Sequence, residues 1–253
     1  MTDRPSSLGV ICAMPEEAEA LSAFLGGGAS RESHGGREFI INRSAETDVV
    51  LVISRVGKVS AAAAAMELII RFGVRALIVT GVAGAMRPEI EIGDVVVATE
   101  LVHHDLDASP IWPPRVVPLL EVERFGVDPE ISRHLLDTAT EFCRRLDRPQ
   151  PPRVHSGLIA SGDLFVSSAA LADRVRSGVP DAAAVEMEGA AVAQVAHEYG
   201  IPVAVVRAIS DRAGDHTESE YTASLSAFAA SYSRGIVGGL LSDWLGHDGD
   251  GPR

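Results

Sequence analysis

The chain has 253 residues, 46% hydrophobic and 23% charged. That is enough to bury a core, and it excludes a disordered, collagenous or disulfide-stapled polypeptide. A formal net charge of −13 would repel phosphate backbones and anionic lipid, so neither nucleic acid nor a membrane surface is expected as a partner.

In chain order, Met1–Ser7 is polar and lacks the apolar core of a signal peptide. Apolar runs then recur at Leu8–Ala13, Val49–Ile53, Ala76–Thr80, Asp94–Ala98, Leu158–Ala160, Ala183–Glu186 and Val203–Ile209. Several are apolar at consecutive positions, as strands covered on both faces are. Helices are expected between them at Pro15–Phe24, Val59–Phe72, Pro129–Leu146, Ala169–Ser177 and Gly189–Tyr199, with Gly73, Gly178 and Gly200 as stops. A last helix, Glu220–Leu245, carries Tyr221, Leu225, Phe228, Tyr232, Ile236 and Leu240 as one apolar stripe. This alternation predicts a single α/β domain over residues 8–246 around a mostly parallel sheet, with flexible tails at 1–7 and 247–253. Four prolines between Asp107 and Pro118 predict an irregular excursion that also holds Ile111 and Trp112. No apolar run approaches the ~20 residues that span a bilayer. Cys12 and Cys143 read as buried free thiols of a reducing compartment, so the expected location is the cytoplasm.

Gly81-Val82-Ala83-Gly84 follows a strand, but its spacing is not that of a dinucleotide fingerprint, and no Walker sequence is present. It reads either as a tight turn or as a loop that lets backbone approach a ligand at a strand's carboxyl end. His103 and His104 with Asp105 lack zinc-ligand spacing, and no G-x-S-x-G elbow exists, so neither a metal, a cofactor nor a covalent nucleophile is expected. The carboxylates are more informative. Glu16 and Glu17 open a helix after the first strand, a place where Glu often only complements the macrodipole. Glu186 and Glu188 bracket Met187 at the end of an apolar run, and a carboxylate buried there needs a polar partner. Arg207 and Asp211 leave the end of another. All of them fall at strand ends, where one pocket could collect them.

The stretches GVICAMPEEAEAL (9–21), SRVGKVSAAAA (54–64), VTGVAGA (79–85), IGDVVVATE (92–100), SGLIASGDLFV (156–166), AVEMEGAAVAQVAHEYGIP (184–202) and VVRAISDRA (205–213) resemble the 5′-methylthioadenosine/S-adenosylhomocysteine nucleosidases, within the wider nucleoside phosphorylase and hydrolase superfamily. The resemblance implies a mixed, partly barrel-like sheet flanked by helices, a homodimer, and hydrolysis of an adenine N-glycosidic bond in a small nucleoside. It implies that Glu17 activates water, that Arg207 and Glu188 help hold it, and that Glu188 also accepts from the ribose hydroxyls with Met187 against the sugar. Phe165 would stack on adenine, the backbone of Val166 would read its edge, and Asp211, beside Ser210, would reach N7 and the exocyclic amine. Met14 and Glu186 belong to the same expected substrate site. Adenine is a poor anionic leaving group, so protonation by Asp211 would let it depart neutral.

Three departures from the family pattern stand out. Val82 replaces a common serine near the water and sugar, and Tyr221 replaces a phenylalanine over the 5′ side. The loop 107–118 matches one that in the family enters the partner's 5′ pocket, but its Ser109-Pro110-Ile111-Trp112-Pro113-Pro114 looks unlike the best-known members, and there Ile111 or Trp112 would contact the 5′ group. The alternatives are a phosphorylase, a futalosine hydrolase and a non-catalytic nucleoside-binding protein. Acidic Glu16-Glu17 stands where a phosphorylase needs an anion site, and Arg55 and Arg87, the only nearby candidates for one, fall on no phosphate motif. Asp211, not Asn, favours a 6-amino purine over futalosine.

Overall fold

The computed structural model describes residues 6–25, 28–44, 47–214 and 230–245. Its strands are β1 (Ser7–Cys12), β2 (Ser30–His34), β3 (Arg37–Asn42), β4 (Asp48–Ile53), β5 (Ala76–Ala85), β6 (Val95–His103), β7 (Arg124–Gly126), β8 (Val154–Ser161), β9 (Ala182–Glu186) and β10 (Val203–Arg212). Helices are α1 (Pro15–Leu25), α2 (Lys58–Phe72), α3 (Pro129–Arg145), α4 (Ala169–Gly178), α5 (Gly189–Tyr199) and α6 (Gly238–Leu245), the last preceded by a π-helical turn at Ser233–Val237.

All the strands join one mixed sheet in the order β10-β6-β8-β9-β5-β1-β4-β3-β2, with β7 on β6. A further pairing of β10 with β5 closes β5, β9, β8, β6 and β10 into a ring. The expected single α/β domain with a partly barrel-like sheet is therefore what the chain forms. Helices cover both faces. On one side α1, α3 and α6 bury Leu21, Leu135, Leu240 and Trp244, and on the other α2 and α5 bury Ala64, Leu68, Val192 and Ala196. Gly73 and Gly200 end α2 and α5 in the left-handed region at φ 65° and 64°, where a side chain would be strained.

The seven apolar runs all became strands. The unexpected ones have a physical reason to hide. β2 is an exposed edge strand, and its sequence SRESH carries no hydrophobic alternation. β3 pairs beside it, and β7 is only three residues long. The segment Gly81–Gly84 is neither a turn nor a loop but the continuation of β5, paired with β10 through Arg207–Gly81 to Arg212–Ala85; what holds of the loop reading is the small-residue backbone open to a cleft at a strand's carboxyl end. β1 begins at Ser7, inside the stretch expected to be tail. The first part of the expected helix Glu220–Leu245, Tyr221 included, lies outside the described residues, as does the carboxyl-terminal tail. Segment 107–118 is irregular, as its prolines require. No helix among the described residues is long and apolar enough to cross a membrane.

β5 positions the cleft. On one edge it pairs with β1 in parallel over Ala76–Thr80, and on the same edge with β9 in antiparallel at Gly84 and Ala85. Between those pairings, Gly81, Val82 and Ala83 face the gap where β1 has ended and β9 has not begun.

Candidate active site

That gap opens into a cleft with about 550 Å³ of space, its open mouth included. A ligand of nucleoside size falls in this range. Of the residues read from the sequence, Met14, Glu17, Val82, Phe165, Val166, Glu186, Met187, Glu188, Arg207, Ser210 and Asp211 all line it. Ile111 and Trp112 do not line it within their own chain: Ile111 is 76% exposed and Trp112 is half-buried. Tyr221 lies outside the described residues.

Glu17 sits in the first turn of α1, yet its carboxylate turns back toward the sheet and is buried. Oε2 accepts the backbone N–H groups of Ala13 at 2.8 Å and Met14 at 3.1 Å. The Val82 N–H on the open edge of β5 also faces this carboxylate. A side chain thus fills the place of a missing strand. Burial raises its pKa above the usual carboxylate range, against the pull of Arg207 and those three N–H groups. The macrodipole reading of Glu17 alone does not account for this geometry.

Arg207, almost wholly buried on β10, faces three carboxylates. Its Nη2 donates to Glu186, lies 3.4 Å from Glu188 Oε2, and its charge reaches Glu17. Gly81 makes the approach feasible. A Cβ there would stand 2.4 Å from Arg207 Nη1 and 2.7 Å from Glu17 Oε1. Glu186 also takes the first N–H donors of α5, Glu188 N at 3.0 Å and Gly189 N at 2.9 Å, where the helix dipole favours negative charge. Ser161, fully buried at the end of β8, donates to Glu186 and accepts from Ala190 N at 2.8 Å. Glu186 is thus fixed as the counter-ion of Arg207 and the cap of α5.

Glu188 is held differently. Its Oε1 accepts the Gly57 N–H at 2.9 Å, and Oε2 faces Arg207. Burial, and next the neighbouring Glu186, push its pKa up to about 7, while Arg207 and Gly57 oppose them. At the other end of the cleft, a bulge between Ile209 and Asp211 re-aims the end of β10. The buried Asp211 carboxyl lies 2.8 Å from Ser210 Oγ and packs over Gly84, where a Cβ would come within 2.7 Å of Oδ1. Phe165, 43% exposed, and Leu164 form an apolar wall at the mouth, and the Val166 carbonyl accepts from Gly214 N at 3.1 Å.

Sequence reasoning missed Val56 and Leu164 as lining residues and Ser161 as the support of Glu186. Val56 precedes Gly57-Lys58, and Ser161 precedes the Gly162–Val166 stretch, so adjacency to the quoted motifs was the available signal. Among the described residues no group of three or more His, Cys, Asp or Glu could hold a metal ion. Cys12 and Cys143 are free and buried.

A family model described as the phosphorylase superfamily matches residues 7–236. The chain is 35% identical over 235 residues to the 5′-methylthioadenosine/S-adenosylhomocysteine nucleosidase of Chromohalobacter salexigens, covering 92% of this chain and 96% of that one. Among solved structures, the nucleosidase of the same name from Colwellia psychrerythraea 34H, in complex with adenine, superposes with a TM-score of 0.84 at 32% identity, covering 95% and 96% of the two chains. Futalosine hydrolase of Helicobacter pylori superposes with a TM-score of 0.85 at 28% identity, covering 94% and 98%.

The raised pKa of Glu188 fixes the sign of a pH effect. In the unfolded chain this carboxyl ionises near 4.5, whereas in the folded protein it keeps its proton until about 7. Its contribution to stability therefore falls as pH rises through that window and stays at its low value above it. Replacing it by an amide removes the cost. Thermal melts from about pH 5 to about pH 8 should show Glu188→Gln gaining on the parent protein as pH rises, then levelling off. A difference independent of pH would show that Glu188 ionises at no cost in the fold.

Proposed function

The chain belongs to the phosphorylase superfamily and, within it, to the 5′-methylthioadenosine/S-adenosylhomocysteine nucleosidases, and from that membership and the cleft's geometry we infer a purine nucleosidase that hydrolyses the adenine N-glycosidic bond of such 5′-modified adenosines. The observation that carries the reading is the placement of two buried carboxyl groups, Glu17 and Asp211, against opposite ends of the same open stretch of β5. One is poised beside a buried guanidinium, the other beside Ser210 near the apolar wall.

In this reading adenine lies against Phe165, with the backbone of Val166 at its edge and Asp211, its carboxyl protonated, delivering a proton to N7. The C1′–N9 bond breaks as adenine leaves neutral, and the ribosyl centre gains oxocarbenium character. Glu17 and Glu188 stabilise that charge. Glu17 takes a proton from water attacking the face opposite adenine, and Arg207 helps hold the water. This is the logic of an inverting glycosidase, one acid and one base on opposite faces. A raised pKa makes the Glu17 carboxylate a stronger proton acceptor than an ordinary one. Glu188 accepts from the ribose hydroxyls, Met187 packs on the sugar, and Met14, Glu186 and Ser210 complete the site. Val82, buried and apolar, supplies no hydroxyl at the sugar, so water handling falls to Glu17, Glu188 and Arg207.

Hydrolysis is favoured over phosphorolysis by where the nearby arginines go. Arg55 Nη2 donates to the Gly36 carbonyl at 2.6 Å and Arg87 Nη2 to the Asp181 carbonyl at 2.5 Å, and neither lines the cleft. An aspartate at 211 favours a 6-amino purine over the 6-oxo purine of futalosine.

The protein is proposed to act in the cytoplasm, with residues 8–246 as one domain and a second copy of the chain as partner. Exposed Ile111, Leu119 and Val59, at 76, 87 and 79%, support such an interface. The loop 107–118 would then wall the partner's 5′ pocket.

Turnover of methylthioadenosine should be indifferent to phosphate and give free sugar; a phosphate-dependent rate with a sugar phosphate product would overturn the hydrolytic reading. Glu17→Gln keeps the shape but cannot take a proton, so kcat should fall by at least ~10² with KM little changed. Near-normal kcat would return Glu17 to a structural role. Trp112→Ala should raise KM for methylthioadenosine more than for adenosine and weaken self-association at low protein concentration. Equal effects on both substrates with an unchanged oligomer would assign the loop to its own subunit.

A further inference from the structure

Beside the cleft, three polar side chains join elements far apart in sequence. Asp163 opens the segment that carries Leu164, Phe165 and Val166. Its Oδ1 accepts the Lys58 N–H at 2.8 Å, at the first residue of α2. Its own N–H donates to Asp105 Oδ2 at 2.8 Å, and Asp105 Oδ1 takes the Lys58 ammonium at 2.6 Å. The residue before Lys58 is Gly57, whose N–H holds Glu188 at 2.9 Å. A continuous linkage therefore runs from the loop at the apolar wall, through the start of α2, to the carboxylate beside Arg207.

Two glycines fit around this linkage. Gly57 has φ +100°, and a Cβ there would lie 3.1 Å from Asp163 Oδ1. At Gly162 a Cβ would come within 2.3 Å of the His104 ring, so the loop starts flush against that imidazole. Backbone is admitted at both points because no side chain is in the way.

We propose that Asp163 is a positioning residue of the hydrolysis, and that with Lys58 and Asp105 it clamps the adenine-side loop to the Gly57 donor that orients Glu188. The proposal rests on the functional reading above. Asp163 itself is exposed and its bonds run to the Lys58 N–H and to Asp105, while the Lys58–Asp105 pair is largely covered, so removing the Asp163 side chain leaves that pair in place and costs the fold little. The backbone donors released by breaking the clamp can turn to water. Its loss is therefore felt in the placement of Phe165 and Glu188 and hardly in the fold. Small misplacements of this kind are amplified in rate and binding.

The test is steady-state kinetics of adenine release from methylthioadenosine, inhibition by adenine, and thermal melting. Asp163→Ala should raise both KM and the adenine inhibition constant about tenfold and lower kcat severalfold, with a melting temperature close to the parent's. Asp163→Asn keeps an oxygen for the Lys58 N–H and should recover most of the loss. Lys58→Met removes only the ammonium and should shift KM the same way by less. Constants within about twofold of the parent's in Asp163→Ala, or no recovery in Asp163→Asn, would overturn the clamp. If Asp163→Ala does not fold, Lys58→Met decides: a raised KM supports the clamp and an unchanged KM refutes it. A parent protein that releases no adenine removes the functional reading and the clamp together; an active parent matched by its variants removes the clamp alone.

Discussion

The cleft exists because one edge of β5 is shared by two strands that never meet. β1 runs parallel to β5 and stops at Cys12, and β9 runs antiparallel and stops short of it from the other side. Buried backbone donors cannot be left unpaired without a cost of about 1–3 kcal/mol each. The exposed edge must therefore be satisfied by something that is not a strand. Glu17 does so, accepting the N–H groups of Ala13 and Met14 just past β1 and facing that of Val82 on β5. The same bonds that close the gap structurally place a carboxylate on the floor of a pocket. Here architecture and chemistry are not separable.

Once Glu17 is fixed there, Arg207 constrains the charge of everything around it. A guanidinium does not lose its proton, and this one is fully buried. It neutralises one carboxylate, yet Glu17, Glu186 and Glu188 all lie within its reach. Glu186 is the partner with the most fixed support, from Ser161 and from the first turn of α5. The other two carry the remaining negative charge under strain, and their pKa values are raised. A cluster that is short of positive charge is suited to a reaction in which the substrate itself becomes cationic. In the proposed mechanism the oxocarbenium-like sugar supplies the missing charge, so the electrostatics of the cleft favour the transition state over the neutral nucleoside.

Most of this was legible in the sequence, and for a physical reason. Strands buried on both faces are written as uninterrupted apolar runs, and the charged residues that end them are conspicuous because burying them needs partners. Glu17, Glu186, Glu188, Arg207 and Asp211 were found that way, and the family resemblance gave them roles. What stayed hidden was of two kinds. Edge strands such as β2 need no core face, so SRESH reads as loop. Gly81–Gly84 read as punctuation because glycine usually breaks a strand, whereas here glycine is what lets the strand pass beneath Arg207, Glu17 and Asp211. The sequence records that side chains are absent at those positions, but not which neighbours require the space.

The same distinction separates the two ends of the cleft. At the Asp211 end the functional side chains come in adjacent pairs, Ser210 with Asp211 and Phe165 with Val166, although Asp211 packs over the distant Gly84. Short motifs therefore carry them. The Glu188 end is assembled from α1, β5, the start of α2 and β10, elements spread from Glu17 to Arg207, and its support at Gly57 lies 131 residues from the carboxylate it holds. Such a site cannot be built by altering one segment. A drift in any one element shifts Arg207, Glu17 or Glu188 relative to the others. Departures from the family pattern are accordingly expected where a residue only fills space, as Val82 does on β5, and not where it holds a charge in place. Val82 sits between Gly81 and Ala83 on the open edge of β5, where its backbone faces Glu17 and its side chain only fills space, so the two demands fall on different parts of one residue.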